Sequence, residues 1–196
     1  IRDADFIHLN NPSYAKTHIF LTDYHDIEMT MLAQKEIIHT LMFEYTNISE
    51  AEHVSFVEKI MHMIKDVSYC KWLNNKEQLA LKFTSSIHPL INFDTYVLDF
   101  DQYLNRVINK STQAAITDST MLTNKIEHLI TLNADLYQLT NGHDILATLA
   151  SCFREKFNAK GCTERNLAAT CRVAFTSLHF EATELHQALH HWATSN

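Results

Sequence analysis

Residues 49–67 read SEAEHVSFVEKIMHMIKDV, and this stretch decides the fold class. Ser49, Glu50, Ala51 and Glu52 have the pattern of a capping box, in which a serine and an acid three positions later satisfy each other's backbone amides. Behind the box, Phe56, Val57, Ile60, Met61, Ile64 and Val67 recur at three- and four-residue steps, which places them on one face of an α-helix.

The same period extends to both sides. Upstream, a helix is expected over 23–45, capped by Thr22, with Ile27, Met31, Ile38, Leu41 and Tyr45 inward. Downstream, Asn74 and Asn75 break the pattern, and a shorter helix over 76–88 uses Leu79, Phe83 and Ile87. After Pro89 the spacing of Phe93, Tyr96, Val97, Phe100, Tyr103, Leu104, Val107 and Ile108 predicts a helix with an aromatic face. A fifth is expected over 119–139 on Leu122, Ile126, Leu129, Ile130, Leu136 and Leu139. Asp144 can cap a sixth, burying Ile145, Leu149, Cys152 and Phe153. Thr163 can cap a long last one, burying Leu167, Cys171, Ala174, Leu178, Ala182, Leu185, Leu189 and Trp192.

No stretch alternates with period two between turn residues, so no strand is expected. The reading is all-α: one domain over 1–196, an antiparallel bundle of about six or seven helices joined by short connections.

Composition agrees. The 196 residues include only 2 Gly and 2 Pro, where average usage would supply roughly fourteen and ten. Phosphate-cradling loops, dinucleotide fingerprints and tight hairpins need glycines that this chain lacks, which excludes P-loop, Rossmann and β-sandwich architectures. The four residues are read as punctuation. Pro12 marks a helix start, Pro89 a stop, and Gly142 and Gly161 left-handed closures after amphipathic runs.

At 46% hydrophobic residues and a mean hydropathy of −0.18, the chain is too apolar for disorder, and no run is long enough for a membrane span. Its net charge is −7, with 16 scattered Lys and Arg, so a nucleic-acid partner is not expected. The 13 histidines make surface charge sensitive to pH between about 5 and 8. Because the chain opens on Ile1 and closes on a His-rich helical segment, a piece of a longer protein is expected, with a cytoplasmic setting slightly favoured over secretion.

Cys70, Cys152, Cys162 and Cys171 form no Cys-x-x-Cys, so a zinc knuckle or redox motif is not supported. Cys152 and Cys171 flank Gly161 at similar distances, where they can either face one another as a disulfide or serve as small buried hydrophobes. Asn47 and Asn109 begin glycosylation sequons, which matter only in a secreted protein.

Three constellations bear on chemistry. Glu36 and His39 stand one helical turn apart, as in di-iron bundles, although Glu58 with His62, Glu127 with His128 and Glu184 with His186, on other expected helices, do not repeat the spacing. On the last helix His186 and His190 are four apart and can share a metal, whereas His179 lies about 16 Å from His190 along the axis. The aromatic series Phe93, Tyr96, Phe100 and Tyr103 is either core or the lining of an apolar ligand cavity.

Residues Ile87-His88-Pro89-Leu90 with Phe93, Tyr96, Asp99, Phe100, Tyr103 and Leu104 resemble early helices of the haem-oxygenase and thiaminase II-like fold. The resemblance covers about 20 positions; it implies a helical architecture and, at His88, a haem or metal ligand. It departs from the pattern at Thr183, between His179 and His186, where a carboxylate is expected.

No Gly-x-Ser-x-Gly or other nucleophile motif occurs. The leading expectation is therefore a non-enzymatic regulatory or sensory module that binds a small apolar ligand, a partner protein or neighbouring domain, or a second copy of itself. A metal- or haem-dependent bundle protein is the alternative, and a secreted helical signalling ligand the third.

Overall fold

The computed structural model describes residues 1–16, 18–83 and 86–195. Its helices in chain order are α1 (Ile7–Asn10), α2 (Ile27–Leu32), α3 (Lys35–Tyr45), α4 (His53–Glu77), α5 (Phe100–Lys110) and α6 (Ser119–Ile130), followed by α7 (Leu136–Leu139), α8 (Gly142–Lys156), α9 (Glu164–Ala174), α10 (Ser177–Glu181) and α11 (Glu184–Ser195). Two short 3-10 turns, Glu50–Glu52 and His88–Leu90, complete the helical part. The protein is mostly all-α.

The longest helix, α4, organises the rest. Val57, Ile60, Met61 and Ile64 are fully buried on its inner face, and α3, α6, α7 and α8 pack around it. Burial of each such side chain is worth about 1.5–3 kcal/mol. A second layer forms where α9 packs on α3 and α8, with Leu167 and Cys171 buried between them.

Several boundaries differ from the sequence reading, each for a local reason. The helix expected over 23–45 is two, because Gln34 is extended (φ −88°, ψ 118°) between α2 and α3. Its cap is Asp26, which accepts from the Met29 amide at 2.9 Å. Thr22 is buried instead as a brace, accepting from the Ala4 amide and donating to the Tyr24 carbonyl. The capping box at Ser49 makes no side-chain cap bond and opens only a 3-10 turn before α4.

Asn74 and Asn75 do not interrupt α4. It runs to Glu77 and stops where Gln78 turns left-handed (φ 54°) and its amide returns to the Asn74 carbonyl. Among the described residues the expected helix over 76–88 therefore does not form: residues 79–83, 86 and 87 are irregular, with the Asn74 side chain accepting from the Leu81 amide, and the part of that expectation at 84 and 85 lies outside the described residues.

After Pro89, which lies within the 3-10 turn His88–Leu90, residues 91–98 form a hairpin rather than a helix. Strand β1 (Ile91–Asn92) pairs antiparallel with β2 (Val97–Leu98), Ile91 opposite Leu98. The Asn92 side chain accepts from the Asp94 and Thr95 amides, and Tyr96 takes a left-handed φ of 55°. Helix α5 starts only after Asp99, whose carboxylate caps it through the Gln102 amide.

The helix expected over 119–139 stops at Ile130. Asn133 turns left-handed (φ 48°), and α7 is capped separately by Asp135. The long last helix is divided into α9, α10 and α11. Thr163 does cap α9 through the Asn166 amide, and Asp23 caps α11 from the far end of the chain, accepting from the Glu184 and Leu185 amides at 2.8 Å each.

Pro12 lies in a turn and starts no helix. Gly161 is left-handed (φ 79°), as expected, but Gly142 is the first residue of α8 rather than the closure of its predecessor. Its lack of a side chain serves contact: a Cβ there would lie 2.4 Å from Glu28 Cβ and 2.5 Å from Asp26 Oδ1. All four cysteines are free and buried, so no disulfide joins α8 and α9. Burial pushes the Cys70, Cys152 and Cys171 thiols up to about 12, as expected of cysteines that act as core residues.

Candidate functional site

The divided course of residues 78–83 and 86–99 opens a cleft beside α4. On one side stand Phe83, Ser86, Ile87 and His88; on the other, α4, α5 and α8 present Lys71, Tyr103 and Asp144. The cavity measures about 120 Å³, which is room for about four water molecules.

Lys71 Nζ and an Asp144 carboxylate oxygen form an ion pair across the cleft, their side chains 21% and 22% exposed. Asp144 stands in the first turn of α8, where the helix dipole favours its negative charge. Lys71 also lies 5.8 Å from the Phe83 ring centre. Tyr103 is buried; burial first, then the neighbouring Asp144 and Cys70, raise its hydroxyl well above the usual tyrosine range, so it keeps its proton and remains a donor.

The remaining hydroxyls are oriented by the backbone. Thr148 donates to the Asp144 carbonyl at 2.7 Å. Ser151 donates to the Ala147 carbonyl and accepts from Arg154. With their protons committed to carbonyls, both oxygens can act toward a ligand only as acceptors.

The residues singled out from sequence divide between this cleft and elsewhere. His88 and Tyr103 line it together. Phe93 and Phe100 stand behind them, Phe93 with its ring 6.2 Å from His88 and Phe100 stacked at 6.2 Å on Tyr103. His88 Nε2 is 2.6 Å from Glu155, so its polar edge is engaged by a carboxylate. Tyr96 belongs to a separate groove, where Lys59 Nζ lies 3.6 Å from its ring centre and Phe56 meets it edge-on.

The metal candidates also separate. Glu36 is exposed on α3. His39 Nδ1 lies 3.0 Å from Nδ1 of the buried His53, whose Nε2–H donates to the Ile48 carbonyl. That bond leaves His53 Nδ1 as the acceptor and makes His39 the donor. His186 and His190 stack at 6.0 Å on α11, with Phe180 edge-on to His186. Among the described residues no group of three or more His, Cys, Asp or Glu is disposed to hold a metal ion.

Lys71 and Asp144 were missed from sequence as site residues. They are 73 positions apart, and Asp144 read there only as a helix cap; the cap of α8 is Asn141, through the Asp144 amide. No helix among the described residues is long and apolar enough to cross a membrane. No protein-family model, curated protein or solved structure matches this chain.

Proposed function

We propose that the chain is a non-enzymatic regulatory or sensory module, and that its small ligand binds in the cleft between α4, α5 and α8. In this reading the eleven helices among the described residues are six or seven principal ones with broken ends, arranged antiparallel as one bundle, and a protein partner or neighbouring domain receives the change. The observation that carries it is the cavity at which three helices and the irregular segment after α4 meet around one ion pair. Pockets between bundle helices, apolar with a few placed polar groups, are the usual form of a small-molecule site. A ligand there would touch α4, α5 and α8 at once, and so can bias how they pack.

The test is titration with phenol, a small, mainly apolar probe, followed by amide NMR. Saturable shifts centred on Lys71, Tyr103 and Thr148, lost in Ala147→Trp, support the reading. Shifts elsewhere, or none with either phenol or the small polar probe glycine, remove it.

A further inference from the structure

The cleft has a polarity that phenol would not use. The α4, α5 and α8 wall offers the Lys71 ammonium and the Tyr103 hydroxyl as donors and the Asp144 carboxylate and the Thr148 and Ser151 oxygens as acceptors, facing Ser86 and His88 on the other wall. Lys71 and Asp144 neutralise one another, and His88 on the far wall is engaged by Glu155, so the ion pair gives the cavity a dipole.

That arrangement discriminates between ligand classes. A simple anion bound to Lys71 takes the ammonium from Asp144 and leaves a carboxylate unpaired in a partly buried place; a simple cation on Asp144 does the reverse to Lys71. Either outcome carries the penalty of an uncompensated charge away from bulk water. A ligand with both charges avoids it. Its carboxylate takes Lys71 and the Tyr103 hydroxyl, its ammonium takes Asp144 and the hydroxyl oxygens, and one ion pair is exchanged for two. The volume limits such a ligand to about the space of four waters, and Phe83, Ile87 and Ala147 leave an apolar wall for a short side chain.

Resting on the cleft as the binding site, we infer that its ligand is a small zwitterion of the α- or β-amino acid class, inserted between Lys71 and Asp144.

The experiment is isothermal titration calorimetry of the whole chain with glycine, L-alanine and β-alanine, against acetate, methylammonium and phenol. The zwitterions should bind at least tenfold more tightly than acetate or methylammonium. Lys71→Met and Asp144→Asn should each lose at least tenfold. A doubly exchanged variant, Lys71→Asp with Asp144→Lys, keeps a dipolar cleft and should recover part of the loss; thermal melts identify any variant that fails to fold. Acetate or methylammonium binding as tightly as the zwitterions overturns the proposal, as does zwitterion binding unchanged in folded single variants. If phenol binds and Ala147→Trp abolishes it while the zwitterions do not bind, the ligand class is wrong and the cleft reading stands. If neither phenol nor any zwitterion binds, both fall.

Discussion

Two carboxylates meet the start of α8 and have opposite surroundings. Asp26 is 4% exposed and accepts from two backbone amides, Met29 at 2.9 Å and Gly142 at 2.7 Å. Burial holds it above the usual carboxylate range, and those two amides, with the charge of His25, pull the other way. Asp144, two residues beyond Gly142, has Lys71 as its side-chain partner, is about a fifth exposed and borders a cavity. The first carboxylate is held by backbone amides of both α2 and α8, and so it joins the two helices. The second is held by a flexible four-carbon side chain beside free volume, and so it can change partners. A satisfied buried acid therefore marks the frame, whereas a half-buried pair beside a void marks a place for binding.

The largest effect should come from breaking the frame. In Gly142→Ala the new Cβ would overlap both Glu28 Cβ and Asp26 Oδ1, and neither the α2 backbone nor the capping carboxylate can yield without loosening α2 from α8. Overpacking of this kind costs about 2–3 kcal/mol, more than the roughly 1 kcal/mol that alanine gains over glycine in a helix. Urea unfolding measures the net loss. A loss under about 0.5 kcal/mol, the level of an ordinary surface change, would show that Asp26 and Gly142 are not a rigid joint.

Lys71→Met sharpens the other side of the comparison. The methionine keeps most of the side-chain length beside Phe83 while removing the charge. Because the pair is a fifth exposed, solvent screens much of its attraction, and the loss should be about 1 kcal/mol or less. Urea unfolding again reads it. A loss as large as that of Gly142→Ala would make the pair part of the frame and weaken its reading as a site.

How much of this was legible in the sequence follows the same division. The inner face of α4, the Thr163 cap of α9 and the left-handed Gly161 follow from local spacing and residue type, and the structure places them as read; of the two readings of Cys152 and Cys171 it shows buried free thiols. What failed depends on partners remote in sequence. Gly142 looked like a closing glycine because nothing nearby shows that Asp26, 116 positions away, would press against it. Phe93, Tyr96 and Phe100 have helical spacing, yet the Asn92 side chain ties the Asp94 and Thr95 amides into a turn, and Tyr96 is then left-handed. Asn92, Asp94 and Asp99 were the available signal, since such residues favour turns and caps over helix interiors. The ion pair of the cleft had no local signal, because its halves lie on helices brought together only by the core.

A third acid tests the comparison at its smallest scale. Asp66, on α4, has one carboxylate oxygen buried without a hydrogen-bond partner among the described residues. Burial raises its proton affinity, and the adjacent Lys65 opposes the shift only in part. It therefore has neither the amides of Asp26 nor the lysine pairing of Asp144. With the folded-state value above the unfolded one, the native chain binds the proton more tightly, so this group's contribution to stability is full below the ordinary carboxylate range and is lost as pH rises through the raised value. Asp66→Asn removes the buried charge and keeps the shape. Since the side chain is partly solvent-exposed, the gain at neutral pH should be small, about 0.5 kcal/mol after screening. It should shrink toward zero as pH falls below the carboxylate range, where the wild-type group is neutral too. Urea unfolding of both proteins across that range reads the difference. A variant less stable than wild type at neutral pH would mean that Asp66 is held by a bond like those of Asp26, and the acid would move to the frame.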